Sequence, residues 1–301
     1  MTAVRVLVVH VNDEAVSSHA VDLAAALAAQ WSARLTAVLV AAPVNAGVGL
    51  SAETASLAQQ LMQSQRAELL GIGERLASGA RQRHGVAVEL RVADGDPVDA
   101  LQAHARTADL LVISQRDPAG AGGLSTGQAA RLLVGAACPV LTVPHIGWGD
   151  SGAVPLQQPI LGRALVAWSD TRESARALRD ALPLLARATQ VELVSFANAD
   201  RVVGPSRQAS LQQVADYLGR HGVQAKTTVL SQGAPSVGER MRLGWVPDVT
   251  VAEALLSHAA DTHADFIVMG GYGHSRLWEL VLGGVTRTML ETMTVPVLMS
   301  H

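Results

Sequence analysis

The chain holds one cysteine, Cys138, among its 301 residues. A lone thiol excludes an intrachain disulfide and any cysteine-built structural zinc site, and it suits a reducing cytoplasm. It lies just before an expected strand and reads as a small core residue rather than a nucleophile. Aromatic residues make up only 3% of a chain that is 49% hydrophobic, so its cores must be built from Ala, Val and Leu. An excess of either charge is missing too: 23 Lys and Arg face 26 Asp and Glu, a formal net charge of −3. That balance argues against nucleic acid as the main partner. No run of about 18 apolar residues free of charge occurs, so no membrane span is expected. Residues 4–10 are apolar but too few for the core of a secretory signal, and they read as a first strand. The expectation is a soluble cytoplasmic protein.

Catalytic constellations are thin. There is no His-Glu-x-x-His, no kinase motif and no His-Ile-Gly-His of a nucleotidyltransferase. Gly122-x4-Gly127 is followed by Gln128 and Ala129 rather than the Lys and Ser/Thr of a P-loop, and Gly120-x-Gly122-x2-Ser125 misses the dinucleotide fingerprint. The ten histidines are scattered; His104 and His258 fall singly on expected helices and read as surface or capping groups. No catalytic residue and no metal-ligand set is expected. A slow ATPase is the most that fits, because no base positioned for water is identifiable.

What the chain does have is an internal repeat. One half opens with Val6-Leu7-Val8-Val9-His10-Val11-Asn12-Asp13, the other with Ala164-Leu165-Val166-Ala167-Trp168-Ser169-Asp170. Each continues with an alanine-rich helical pattern (20–31 and 173–188), a strand (34–41 and 190–197), a helix (51–83 and 205–221) and a third strand (86–92 and 224–230). The endings match: Ala108-Asp109 before an apolar run and Cys138-Pro139-Val140, against Ala264-Asp265 and Val295-Pro296-Val297. Alternating strands and helices predict two α/β domains, each a doubly wound five-stranded parallel sheet with helices on both faces. The domains are expected at 1–145 and 161–301, joined by a Gly- and Pro-rich linker at 146–160. Residues 231–250 form an insertion with Gly244 and Trp245, expected at the carboxyl edge of the sheet as a lid or a tolerated surface loop. Both closing strands are apolar edges that invite pairing between the halves.

Near the end, the apolar run Phe266-Ile267-Val268-Met269 stops at Gly270 and Gly271, with Gly273 close behind. Gly283 and Gly284 then precede an expected helix at 285–293, with Val285, Met289 and Met293 on one stripe. Bare glycines ahead of a helix leave N–H groups open to an anion such as phosphate. Tight-turn geometry without a ligand accounts for the same glycines.

Gly270-x2-Gly273-x9-Gly283, set between a buried strand and a helix, resembles the nucleotide-binding signature of the universal stress proteins, and the repeat resembles their tandem members. The resemblance implies the universal stress protein, or adenine nucleotide alpha hydrolase-like, fold. It implies an adenine nucleotide in the second half, expected to be ATP with or without Mg2+, and a regulatory or protective role in stress response. By position the site would comprise Trp168, Ser169, Asp170, Met269, Gly270, Gly273, Gly283, Gly284, Val285 and Thr286. Asp170 would accept from ribose hydroxyls or an adenine amine; as a residue ahead of a helix it serves equally as an N-cap. Gly284 departs from the family's Ser or Thr, which removes one hydrogen bond of about 0.5–1.5 kcal/mol. In the first half Ser114, Asp117 and Thr126 replace the glycines, so that half is expected to be empty, with Asn12 or Asp13 in the place of Asp170. The alternative is a nucleotide-free interaction scaffold of the same fold. The resemblance also implies a pseudo-dimer within the chain, with the closing strands as neighbours, and allows a homodimer.

Overall fold

The computed structural model describes residues 4–41, 52–120, 122–148, 159–197, 205–231, 247–272 and 284–301. They form two compact units, divided between Gly147 and Trp148. The first contains β1 (Val6–Val11), α1 (Glu14–Trp31), β2 (Arg34–Ala41), α2 (Ala52–His84), β3 (Val88–Asp94), α3 (Pro97–Ala105), β4 (Leu110–Ser114), α4 (Thr126–Gly135) and β5 (Val140–Val143). The second contains β6 (Arg163–Ala167), α5 (Arg172–Asp180), α6 (Leu182–Leu185), β7 (Gln190–Ala197), α7 (Pro205–Arg220), β8 (Ala225–Ser231), α8 (Pro247–Asp261), β9 (Phe266–Gly270), α9 (Gly284–Thr292) and β10 (Val297–Ser300).

Within each unit the pairing is parallel, in the order β3-β2-β1-β4-β5 and β8-β7-β6-β9-β10. Parallel neighbours need crossover helices, which cover both sheet faces and leave the central strands apolar throughout. All of β4 and β5 is buried, as are Phe266 to Met269 of β9. The two Ala-Asp pairs of the repeat have a role of their own. Asp109 accepts from the backbone N–H groups of Arg5 and Val6 at 2.7 and 2.9 Å. Asp265 does the same for Gly162 and Arg163 at 2.8 and 2.7 Å. Each carboxylate thereby ties the start of its unit's first strand to the start of the fourth.

Several element ends differ from the sequence expectation. Helix α1 begins at Glu14, six residues before 20, because the Asp13 carboxylate accepts from Val16 N–H and caps it. The helix expected at 173–188 is broken into α5 and α6 around Ala181; Pro183 has no N–H to continue the ladder. The third strands lie one or two residues later than expected. Helix α9 starts at Gly284, which is its first residue rather than the turn ahead of it. Ser231 belongs to β8 and Pro247 opens α8, so the expected insertion shrinks to 232–246. Gly244 and Trp245, like residues 149–158 of the expected linker, lie outside the described residues. No described helix is long and apolar enough to cross a membrane.

Candidate functional site

In each unit the chain leaves the first strand toward one side of the sheet and returns on the other, so the order reverses between β6 and β9 in the second unit. Such a reversal opens a crevice at the carboxyl ends of the two strands, the place where open α/β sheets receive ligands. β6 and β9 are in register with Val166 opposite Val268. Trp168, Ser169 and Asp170 therefore leave β6 beside Gly270, Gly271 and Tyr272 leaving β9.

Asp170 does not cap α5. Thr171 does, in a capping box with Ser174. Asp170 instead has φ 58°, in the left-handed region that Asp tolerates better than bulkier residues. Its Oδ1 accepts from Trp168 Nε1–H at 2.9 Å and from the Ser210 hydroxyl on α7, while Trp168 Nε1–H also reaches Ser210 Oγ at 2.9 Å. Oδ2 has no partner among the described residues, and the residue is exposed. The result is a carboxylate fixed through one oxygen and presenting the other. Trp168 is half-buried, with its backbone N–H donating to Val194 O at 2.8 Å. Ser169 is exposed, and its hydroxyl meets that of Thr171.

On the β9 side, Met269 is a core residue opposite Met299, its side chain buried in the sheet. Gly270 sits against the first turn of α5: a Cβ there would lie 2.6 Å from Ser174 N and 2.7 Å from the Glu173 carbonyl carbon. This close approach of backbone to backbone requires glycine whether or not a ligand binds. Gly271 N–H donates to Ser300 O, and Gly271 O meets His301 Nδ1 at 3.1 Å. Tyr272 also has a positive φ, 60°; its N–H donates to Thr286 Oγ1 at 3.3 Å and its ring stands edge-on to His301. Thr286 is buried in the first turn of α9, behind half-buried Gly284 and Val285, and ties the end of β9 to that helix. Gly273 and Gly283 lie outside the described residues.

The first unit's crevice is arranged differently. Asp13, the counterpart of Asp170, is consumed as the α1 cap. Asn12 grips Gly123 twice, accepting from its N–H at 3.2 Å and donating to its carbonyl at 3.3 Å. Gly122 is pressed against α1: a Cβ there would lie 2.7 Å from Val16 Cγ2 and 3.0 Å from Asp13 Cβ. The loop after β4 thus folds onto the start of α1. Ala129 stands where Thr286 does and offers no hydroxyl.

Sequence reasoning missed three participants. Ser210 comes from a helix 40 residues beyond Asp170, and nothing in its neighbours marks it. Tyr272 lay within the glycine run, and nothing in the sequence marked its side chain. His301 follows the closing strand and reaches back to Gly271. His258, read as a surface or capping group, is instead half-buried on α8, with Nε2 3.3 Å from the Glu192 carboxylate of β7. Burial works against the charge of Glu192, yet the bond from Thr228 and the nearby His258 and Lys226 bring its pKa below the usual carboxylate range. That cluster borders a cleft of about 660 Å3 lined by Arg163, Gln190, Lys226 and Thr262 at the amino-terminal edge of the sheet, the edge away from Gly270. Among the described residues no group of three or more His, Cys, Asp or Glu could hold a metal ion.

The model of the universal stress protein family matches the chain twice, over residues 4–144 and 161–301. No curated protein matches it. Among solved structures, a universal stress protein from Archaeoglobus fulgidus DSM 4304 is similar at 15% identity, with 97% of this chain and 95% of that one covered and a TM-score of 0.68. A putative universal stress protein from Pseudomonas aeruginosa UCBPP-PA14 is similar at 15% identity, with 99% and 93% covered and a TM-score of 0.57. These likenesses are of fold alone. The repeated family match and the strand order common to both units carry the conclusion: the chain belongs to the universal stress protein family, with two copies of its domain in tandem.

Proposed function

We propose that the second domain binds one adenine nucleotide, ATP being the expected species, in the crevice between the ends of β6 and β9. The protein would serve a regulatory or protective role in the cytoplasmic stress response, through nucleotide-dependent association. The observation that carries this reading is Asp170. It is relieved of capping by Thr171, held at positive φ, and fixed by Trp168 and Ser210 so that one oxygen faces outward. A carboxylate so placed accepts a ribose hydroxyl or an adenine amine. Phosphates would extend toward Gly270 and Gly284, with Gly273 and Gly283 completing the motif. Any Mg2+ would arrive with the nucleotide, held largely by phosphate oxygens and water. No residue is assigned to hydrolysis, and the protein is read as a binder rather than an enzyme.

The closed loop over Asn12 and Asp13 makes the expected stoichiometry one nucleotide per chain. Denaturing the pure protein and identifying the released small molecule is the first test; calorimetric titration with ATP is the second. Two sites per chain, or a site that survives Asp170→Ala undiminished, would place the nucleotide elsewhere. A nucleotide-free scaffold is the second reading, favoured by Gly270, whose packing on α5 needs no ligand. No released nucleotide and no heat of binding at millimolar ATP would select it.

A further inference from the structure

We propose that the Tyr272 hydroxyl is a ligand-binding donor, held for a phosphate oxygen of the nucleotide in the second domain. The proposal rests on the nucleotide reading above and names a side chain that engages the phosphates. The hydroxyl oxygen is buried and has no hydrogen-bond partner among the described residues. A polar group shut away from water without a partner is destabilising, and such groups are rare enough in native folds to require a reason. The backbone adds strain, since φ 60° disfavours a bulky residue. The position is nevertheless held from three sides: by Thr286 Oγ1 on the Tyr272 N–H, by the edge-on His301 ring at 6.4 Å between centroids, and by His301 Nδ1 on Gly271 O. The fold thus anchors the backbone of Tyr272 and meets one edge of its ring, while the hydroxyl stands without a partner among the described residues.

The missing partner is an acceptor. Burial pushes the phenol pKa up, so the group remains an O–H donor at physiological pH. Its backbone is bonded into the first turn of α9, a helix of nine residues whose leading N–H groups favour negative charge. A donor at that place suits a phosphate oxygen better than a neutral acceptor. The first domain lacks the arrangement, with Arg116 in the place of Tyr272 and Ala129 in that of Thr286.

Tyr272→Phe in the full-length protein removes the oxygen and little else. In the free protein the melting temperature should hold or rise, because an idle buried hydroxyl stabilises nothing there. ATP and ADP should bind roughly tenfold more weakly, the contribution expected of a donor to a charged acceptor. Adenosine affinity should not change. A fall in the melting temperature of the free variant would show that the hydroxyl has a partner in the fold, and would overturn the proposal. So would ATP affinity equal to wild type, or an equal loss with adenosine. A wild-type protein that binds no nucleotide removes the nucleotide reading and this proposal together, a result distinct from a variant that binds as well as its parent.

Discussion

His10 is buried on β1, only 2% exposed, and that burial lowers its pKa from 6.5 to about 4. The unfolded chain takes up a proton as pH falls below about 6.5, while the folded chain resists until about 4. The unfolded state therefore binds more protons in that window, and stability declines as pH falls through it. The loss at the acid end is on the order of 3 kcal/mol, at about 1.4 kcal/mol per pKa unit. Urea titrations at pH 7 and 4.5 check this: His10→Leu should flatten the difference, and an unchanged slope would assign it to another group. At the same scale, Ser210→Ala should leave the fold almost intact, since an exposed hydrogen bond contributes little. It should weaken nucleotide binding several-fold by freeing Asp170 to turn, for the net value of about 1 kcal/mol typical of one bond. Equal affinity in calorimetry would show that Asp170 needs no positioning.

Elements here are set by their ends. α5 is placed by Thr171 and by the bare backbone of Gly270, so Gly270→Ala must push strand and helix apart. Overpacking of this kind costs about 1–3 kcal/mol. Gly271→Ala is the control, because its added Cβ would meet nothing closer than Ser300 O at 3.7 Å. Equal melting temperatures for the two variants would refute the packing explanation and return Gly270 to a purely ligand-driven role. The strands were readable from the sequence because burial on both faces demands continuous apolar runs. The start of α1 was not, since Ser17, Ser18 and His19 break the apolar pattern although the helix runs through them. The Ala181 break was signalled by Pro183 and obscured by the apolar residues on either side.

For the whole molecule, acid and nucleotide should act on different domains. His10 lies in the first and Asp170 in the second. Hydrogen exchange resolved by peptide should show residues 4–41 losing protection at pH 4.5. ATP should raise protection around β6 and β9, by the free energy of a ligand that binds only the native state. Equal protection of both domains by ATP would contradict the single site. The expected asymmetry follows from what each domain does with the residues after its first strand. In the first, Asn12 is bonded to Gly123 and Asp13 caps α1; in the second, Asp170 is held clear of any cap.

The sequence by itself determined the repeat, the strand and helix order, the parallel sheets and the family. Each is recorded in local periodicity or fixed spacing, because the force that creates it acts on neighbouring residues. It also located the half of the chain that carries the glycine motif. Tertiary structure alone decided what Asp170 and Gly270 do. Whether a carboxylate caps a helix depends on one backbone angle, and its partner Ser210 arrives from 40 residues away. Asn12 fastens the loop after β4 by bonding a residue 111 positions distant. Hydrogen bonds and close contacts select partners by proximity in space, and for residues so far apart the chain's order carries no record of it.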